Sequence, residues 1–173
     1  MNTKINTKRK RVKFASDNVT GACPEVLEAV IKANDGIVPP YGNDEISGVL
    51  QEKFSKIFEK DVIVYPTASG TASNALALSA ISPSFGNIYC HKFSHINVDE
   101  CGAPEFYTGG AKLVPLNGED GKITTEELKN SIGGFGIVHH TQPSIVSITQ
   151  ATETGEVYTL DQIKNISEIT HKH

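Results

Sequence analysis

The run Thr67-Ala68-Ser69-Gly70-Thr71-Ala72-Ser73-Asn74-Ala75-Leu76-Ala77-Leu78 constrains this chain more than any other stretch. Val62-Ile63-Val64-Tyr65, just before it, has the β-branched and aromatic composition of a short buried strand. Asn74 to Ala80 is rich in Ala and Leu and reads as the start of a helix. A chain that passes through Ser69, Gly70 and Thr71 into that helix leaves backbone N–H groups without intrahelical partners. They lie at the positive end of the helix dipole, with two hydroxyls beside them. That combination suits an anion, most often phosphate. The same residues also describe an ordinary turn capped by Ser or Thr.

The bulk numbers exclude several classes. The 173 residues suffice for one domain with a core. A net charge of -4 gives no reason to expect a nucleic-acid partner. Cys23, Cys90 and Cys101 show no CxxC spacing, which argues for a reducing compartment and against a disulfide framework or a metal site. No apolar run is long enough to span a membrane, and nothing apolar follows the basic start as in a signal peptide. The expectation is a cytoplasmic protein with no membrane contact. Residues 1–13, with Lys8, Arg9, Lys10, Arg11 and Lys13, read as a solvated, disordered extension, the alternative being a nucleic-acid or localisation role, against which stands that short basic runs are common.

From residue 14 the chain alternates. Pro24 opens a helix with Val26, Leu27, Val30 and Ile31 at helical spacing, ended by Asn34-Asp35-Gly36. A second helix carries Ile46, Val49, Leu50, Phe54, Ile57 and Phe58 on one face. Asn87–Cys90 reads as a strand, followed by His91, His95, Asp99 and Glu100, with His95 and Asp99 one helical turn apart. Lys112–Leu116 is a strand, and Thr124 begins a helix with Glu126 and Glu127 in its first turn. Phe135–His139 and Ser144–Thr149 read as one strand interrupted by a loop or as two short strands, and the chain from about Thr159 to His173 as a final helix. This alternation predicts an α/β fold, a mostly parallel sheet with helices on both faces. Ligands of such sheets bind at the carboxyl ends of the strands. By that rule the Ser69 turn, the His91–His95 segment and the His139–Gln142 segment should converge on one crevice.

Five motifs, in order, carry a resemblance: Phe14-Ala15-Ser16-Asp17-Asn18, Tyr41-Gly42-Asn43-Asp44-Glu45, Ser69-Gly70-Thr71-Ala72-Ser73-Asn74, Asp99-Glu100-Cys101-Gly102-Ala103-Pro104-Glu105-Phe106, and Thr149-Gln150-Ala151-Thr152-Glu153-Thr154-Gly155. With them the chain resembles the low-specificity L-threonine aldolases, within the beta-eliminating lyases of the pyridoxal 5′-phosphate (PLP)-dependent, aspartate-aminotransferase-like fold type I. The resemblance implies that Ser69, Gly70 and Thr71 hold the PLP phosphate and that His95 stacks on the cofactor ring. His139, or its neighbour His140, would stand near the substrate hydroxyl. Ser16 would help bind the substrate carboxylate, Tyr41 would approach the site near a subunit boundary, and Glu100 would sit near the cofactor. Without the resemblance, Ser16 is a cap, Tyr41 a loop anchor and Glu100 a solvated helix residue. His91 matches no family role and reads as structural.

The resemblance also implies what is missing. The family's Asp-Gly-Ala-Arg stretch, its Schiff-base lysine and its small C-terminal domain have no counterpart within residues 14–173. Lys92, Lys112 and Lys164 match other positions. The chain is therefore expected to be the N-terminal part of an incomplete large domain. As such it would be inactive in cleaving L-threonine or L-allo-threonine to glycine and acetaldehyde unless a C-terminal chain complements it. The intact family implies an amino acid substrate and a homo-oligomer. The alternatives are a non-catalytic remnant, a phosphate-binding module, or another PLP-dependent lyase on the same scaffold.

Overall fold

The computed structural model describes residues 19–173, in two compact units, Met1–Val64 and Tyr65–His173. The basic extension and Ser16 lie outside the described residues.

In the first unit α1 spans Pro24–Ala33, with Pro24 in its first turn and Asn34 at its C-cap. Helix α2 spans Glu45–Phe58. Asp44 caps it: its carboxylate accepts from the Ser47 backbone N–H at 2.9 Å and from the Ser47 hydroxyl at 2.7 Å. These bonds hold the Asp44 carboxyl below the usual carboxylate range. The chain then turns at Glu59, in the left-handed region at φ 53, and runs back along α2. The strand expected at Val62–Tyr65 does not form. Three of its backbone groups are bonded by helix side chains instead. The Gln51 amide donates to Val64 O and accepts from Val64 N, each at 3.2 Å, and Ser55 Oγ accepts from Val62 N at 3.3 Å. Val62 N and both backbone groups of Val64 are thereby taken on the edge that faces α2.

The second unit holds the sheet. Helix α3 (Gly70–Ile81) leads into β1 (Gly86–His91), followed by the short helices α4 (His95–Val98) and α5 (Ala103–Tyr107). Strand β2 (Lys112–Leu116), a 3-10 turn at Glu119–Gly121, α6 (Thr125–Ser131), β3 (Gln142–Val146) and α7 (Leu160–Thr170) complete it. The three strands are parallel in the order β2-β1-β3. Side chains alternate across the sheet as the pleat requires. Ile88 and Cys90 point to one face and join Leu78, Ile96, Ala111, Leu113 and Ile145. Tyr89 points to the other and joins Leu116, Leu128, Tyr158, Ile166 and Ile169. Helices therefore cover both faces of β1, which explains why a central strand can be buried along nearly its whole length.

Two boundaries differ from the sequence expectation. Phe135–His139 is a turn rather than a strand. Gly134 and Gly136 adopt φ of 83° and 69°, which fold the segment back on itself. Gln142 then ties it: its side chain accepts from Gly136 N at 2.9 Å and donates to Gly134 O, Ile137 O and His140 O. Strand β3 accordingly starts at Gln142 and ends at Val146, earlier than Ser144–Thr149. Its pairing with β1 jumps from Asn87↔Pro143 to Ile88↔Ile145, so Ser144 is an extra residue. A Cβ on Gly86 would lie 2.9 Å from the Ser144 Cβ and 2.6 Å from Ser82 Oγ, so only glycine fits there.

Candidate functional site

Helix α3 precedes β1 and packs antiparallel to it, Leu78 lying against Ile88 and Cys90. Its N-terminus therefore sits at the carboxyl end of the sheet. The helix starts at Gly70, four residues ahead of the Ala/Leu-rich run, because Ser69 is its N-cap. Ser69 Oγ accepts from Ala72 N at 3.2 Å, and Ser73 N donates to Ser69 O. The N–H groups of Gly70 and Thr71 donate to no protein acceptor among the described residues, and nothing lies within 4 Å of where a Gly70 Cβ would be. The Thr67 and Ser73 hydroxyls share a hydrogen bond next to this turn.

Strand β1 ends at His91. That ring is buried, with Nδ1 accepting from Phe93 N at 3.1 Å and Nε2 at 3.2 Å from Gly118 O, to which it donates. Both ring nitrogens are used to shape loops, which is a structural task. His95 follows on α4. Its side chain is 44% exposed, whereas that of Glu100 is fully enclosed. Glu100 Oε1 takes two hydrogen bonds, from His95 Nδ1 at 2.8 Å and from Asn74 Nδ2 at 2.6 Å. Glu100 Oε2 is buried and has no partner. The hydrogen bond to Glu100 raises the His95 pKa above 6.5, against the opposing effect of burial, and the charges of Glu100, Glu153 and Asp99 add to it. Asn74 stands one turn into α3, so Glu100 joins the Ser69 turn to His95.

The Thr149–Gly155 motif braces this end of the sheet. Thr152 and Thr154 hydroxyls donate to Asp120 O at 2.9 and 2.7 Å, and the Gln150 amide clasps both backbone groups of Tyr158. The Tyr158 hydroxyl in turn accepts from Ile123 N at 2.6 Å. Glu153 is carried on this loop, where its charge acts on His95.

The expected convergence is corrected for one segment. Gln142 pairs with Gly86, the first residue of β1, so His139–Gln142 lies at the amino end of the parallel strands. His139 and His140 are exposed and line an open cavity of about 410 Å³ with Asn87 and Lys112, which also begin strands. Five residues of strand separate that end from His91, roughly 16 Å at the usual rise. A residue placed before a parallel strand cannot reach its carboxyl end. Tyr41 lies in the first unit, 97% exposed and with φ 63. Glu100 lies in the turn between α4 and α5 and is enclosed, not a solvated helix residue. Asn74 was missed as a site residue, although a lone amide inside the Ala/Leu-rich run was its signal. A hollow of about 710 Å³ beyond β2, lined by Asn117, Lys122, Thr124 and Gln162, holds neither His95 nor Ser69.

The beta-eliminating lyase family pattern matches residues 13–173. The chain belongs to the beta-eliminating lyase family. It is 42% identical over 154 residues to a low-specificity L-threonine aldolase of Pseudomonas sp. (strain NCIMB 10558) and 40% identical to one of Pseudomonas aeruginosa. Each match covers 89% of this chain and 44% of the relative, so the chain spans less than half the length of those aldolases. A threonine aldolase structure from Leishmania major superposes with a TM-score of 0.83 at 24% identity, over 90% of this chain and 45% of that one. That likeness establishes the fold, of the α/β class expected from the sequence. Among the described residues no helix is long and apolar enough to cross a membrane.

Proposed function

We propose that this lyase chain forms the phosphate- and ring-holding part of a threonine-aldolase-type site. The whole protein would cleave L-threonine or L-allo-threonine to glycine and acetaldehyde, with PLP as cofactor. The observation that carries the reading is the Glu100 bridge, which joins a half-exposed His95 to a helix whose first N–H groups are free. The donor set fits the cofactor. Gly70 and Thr71 N–H groups with the Ser69 and Thr71 hydroxyls would hold the phosphate, and His95 would flank the ring. When bound, the cofactor supplies an electron sink for the charge left as the Cα–Cβ bond breaks.

The chain's own residues do the rest of what this part of the site can do. The free N–H groups and the helix dipole favour a dianion over water. Glu100 fixes the His95 ring through Nδ1, which leaves Nε2 as the atom where a proton is held or accepted. Ser16 and Tyr41 belong to the proposal as substrate-binding residues. His139, which the resemblance implies near the substrate hydroxyl, takes no part in it, because it lies at the other end of the sheet. The lysine and the pyridine-nitrogen partner would come from the portion of the aldolases that this chain does not cover.

Equilibrium dialysis with PLP, with pyridoxal lacking the phosphate, and with competing inorganic phosphate tests the reading. PLP should bind, phosphate should displace it, and Ser69→Ala with Thr71→Ala should weaken it. L-threonine should release no acetaldehyde from the chain alone. Failure of PLP to bind would overturn the cofactor assignment, and acetaldehyde release by the chain alone would overturn the partial-site reading.

A further inference from the structure

Helix α4 is only one turn long and cannot by itself orient a half-exposed ring. The restraint on His95 comes from elsewhere. Glu100 Oε1 lies 2.8 Å from His95 Nδ1 and 2.6 Å from Asn74 Nδ2, and Asn74 belongs to a twelve-residue helix packed on the sheet. We propose that Asn74 and Glu100 are positioning residues, which together set the tautomer and orientation of the His95 ring from α3. As a contribution to the site this rests on the lyase reading above.

The physical case is one of donor supply. An enclosed carboxylate needs hydrogen-bond donors to offset its lost hydration. Here both donors converge on one oxygen, while Oε2 has none. The carboxylate is thereby committed to the two groups that link α3 and α4. A neutral imidazole in this arrangement must carry its proton on Nδ1, because only a donor can approach Oε1 closely. Nε2 is then the acceptor, facing away from Glu100. Glu153, from the loop after β3, and Asp99, at the C-cap of α4, are the other charges acting on the ring. Both are acidic, so they reinforce the raised proton affinity that Glu100 produces. Asn74 ties that same oxygen to α3, so the carboxylate is held where His95 Nδ1 meets it.

The test is NMR of the full chain, isotope-labelled at histidine, below the concentration at which it self-associates, with His95→Asn identifying the resonance. In the unsubstituted chain the His95 midpoint should lie above 6.5, and above that midpoint nitrogen shifts should place the proton on Nδ1. Glu100→Gln keeps an oxygen toward the two donors but removes the charge, and should lower the proton affinity of His95 several-fold. Asn74→Ala should lower it, because Glu100 then loses its tie to α3 and no longer holds Oε1 against His95 Nδ1. Glu100→Gln also buries an unpaired NH₂ where Oε2 lies. Should that variant not fold, the tautomer of the unsubstituted chain and the Asn74→Ala midpoint decide alone. A neutral ring protonated on Nε2, or an unchanged midpoint in Asn74→Ala or in a folded Glu100→Gln, would overturn the inference. Loss of PLP binding with these His95 signatures intact would overturn the lyase reading and leave the positioning standing.

Discussion

The Asn74 amide and the Glu100 carboxylate meet at 2.6 Å across 26 residues of sequence. This contact couples the start of α3 to the segment that carries His95. Nothing in local helix chemistry demands it; the packing of α3 against α5 brings the two side chains together.

The stability of the chain should depend on pH through His95. Its folded pKa is raised, mainly by the hydrogen bond to Glu100. A raised pKa means that the pairing contributes fully below the unfolded value of about 6.5 and is lost as pH rises through the folded value. Thermal unfolding followed from about pH 6 to about pH 9 should show a falling Tm. The slope should flatten in Glu100→Gln. An equally steep fall in both chains would show that the slope comes from other groups.

Tyr158→Phe should destabilise the second unit by about 1–3 kcal/mol, the usual cost of leaving a buried N–H unpaired. The Tyr158 hydroxyl is the acceptor for Ile123 N, inside the core shared by α6 and α7. Urea denaturation measures it. A change within error of zero would mean that Ile123 N finds another partner.

Gln142→Leu should loosen the 134–141 turn while sparing the sheet. The side chain makes four hydrogen bonds to that turn's backbone. Each contributes on the order of 1 kcal/mol. Hydrogen exchange at Gly136 N should speed up, while β1 amides keep their protection. Unchanged exchange at Gly136 would rule out the stapling role.

The apolar face of α1 should drive self-association. Val26, Leu27, Val30 and Ile31 are 50%, 52%, 60% and 73% exposed, and α1 has no buried residue. Contiguous exposed apolar surface favours association. Size-exclusion chromatography with light scattering should show species above the monomer mass. Leu27→Glu with Ile31→Lys should shift them toward monomer. A monodisperse monomer before any substitution would discard the prediction.

Residues 70–81, 86–91, 112–116, 125–131 and 160–170 form the elements their composition and caps announce, because those signals are local. Ser69 and Thr124 accept from the N–H groups three residues on, and Thr159 adds a reciprocal bond from Gln162. The alternation of these elements also determined the parallel α/β class. Tertiary structure alone decided three things. It left Val62–Tyr65 out of the sheet, with Gln51 and Ser55 side chains bonding Val62 N and both backbone groups of Val64. It turned Phe135–His139 back on itself and so put His139 before β3, at the amino end of the sheet. It also enclosed Glu100 between Asn74 and His95. Each depends on a side chain meeting a group from another element, and hydrophobic pattern and caps register only a residue's neighbours along the chain.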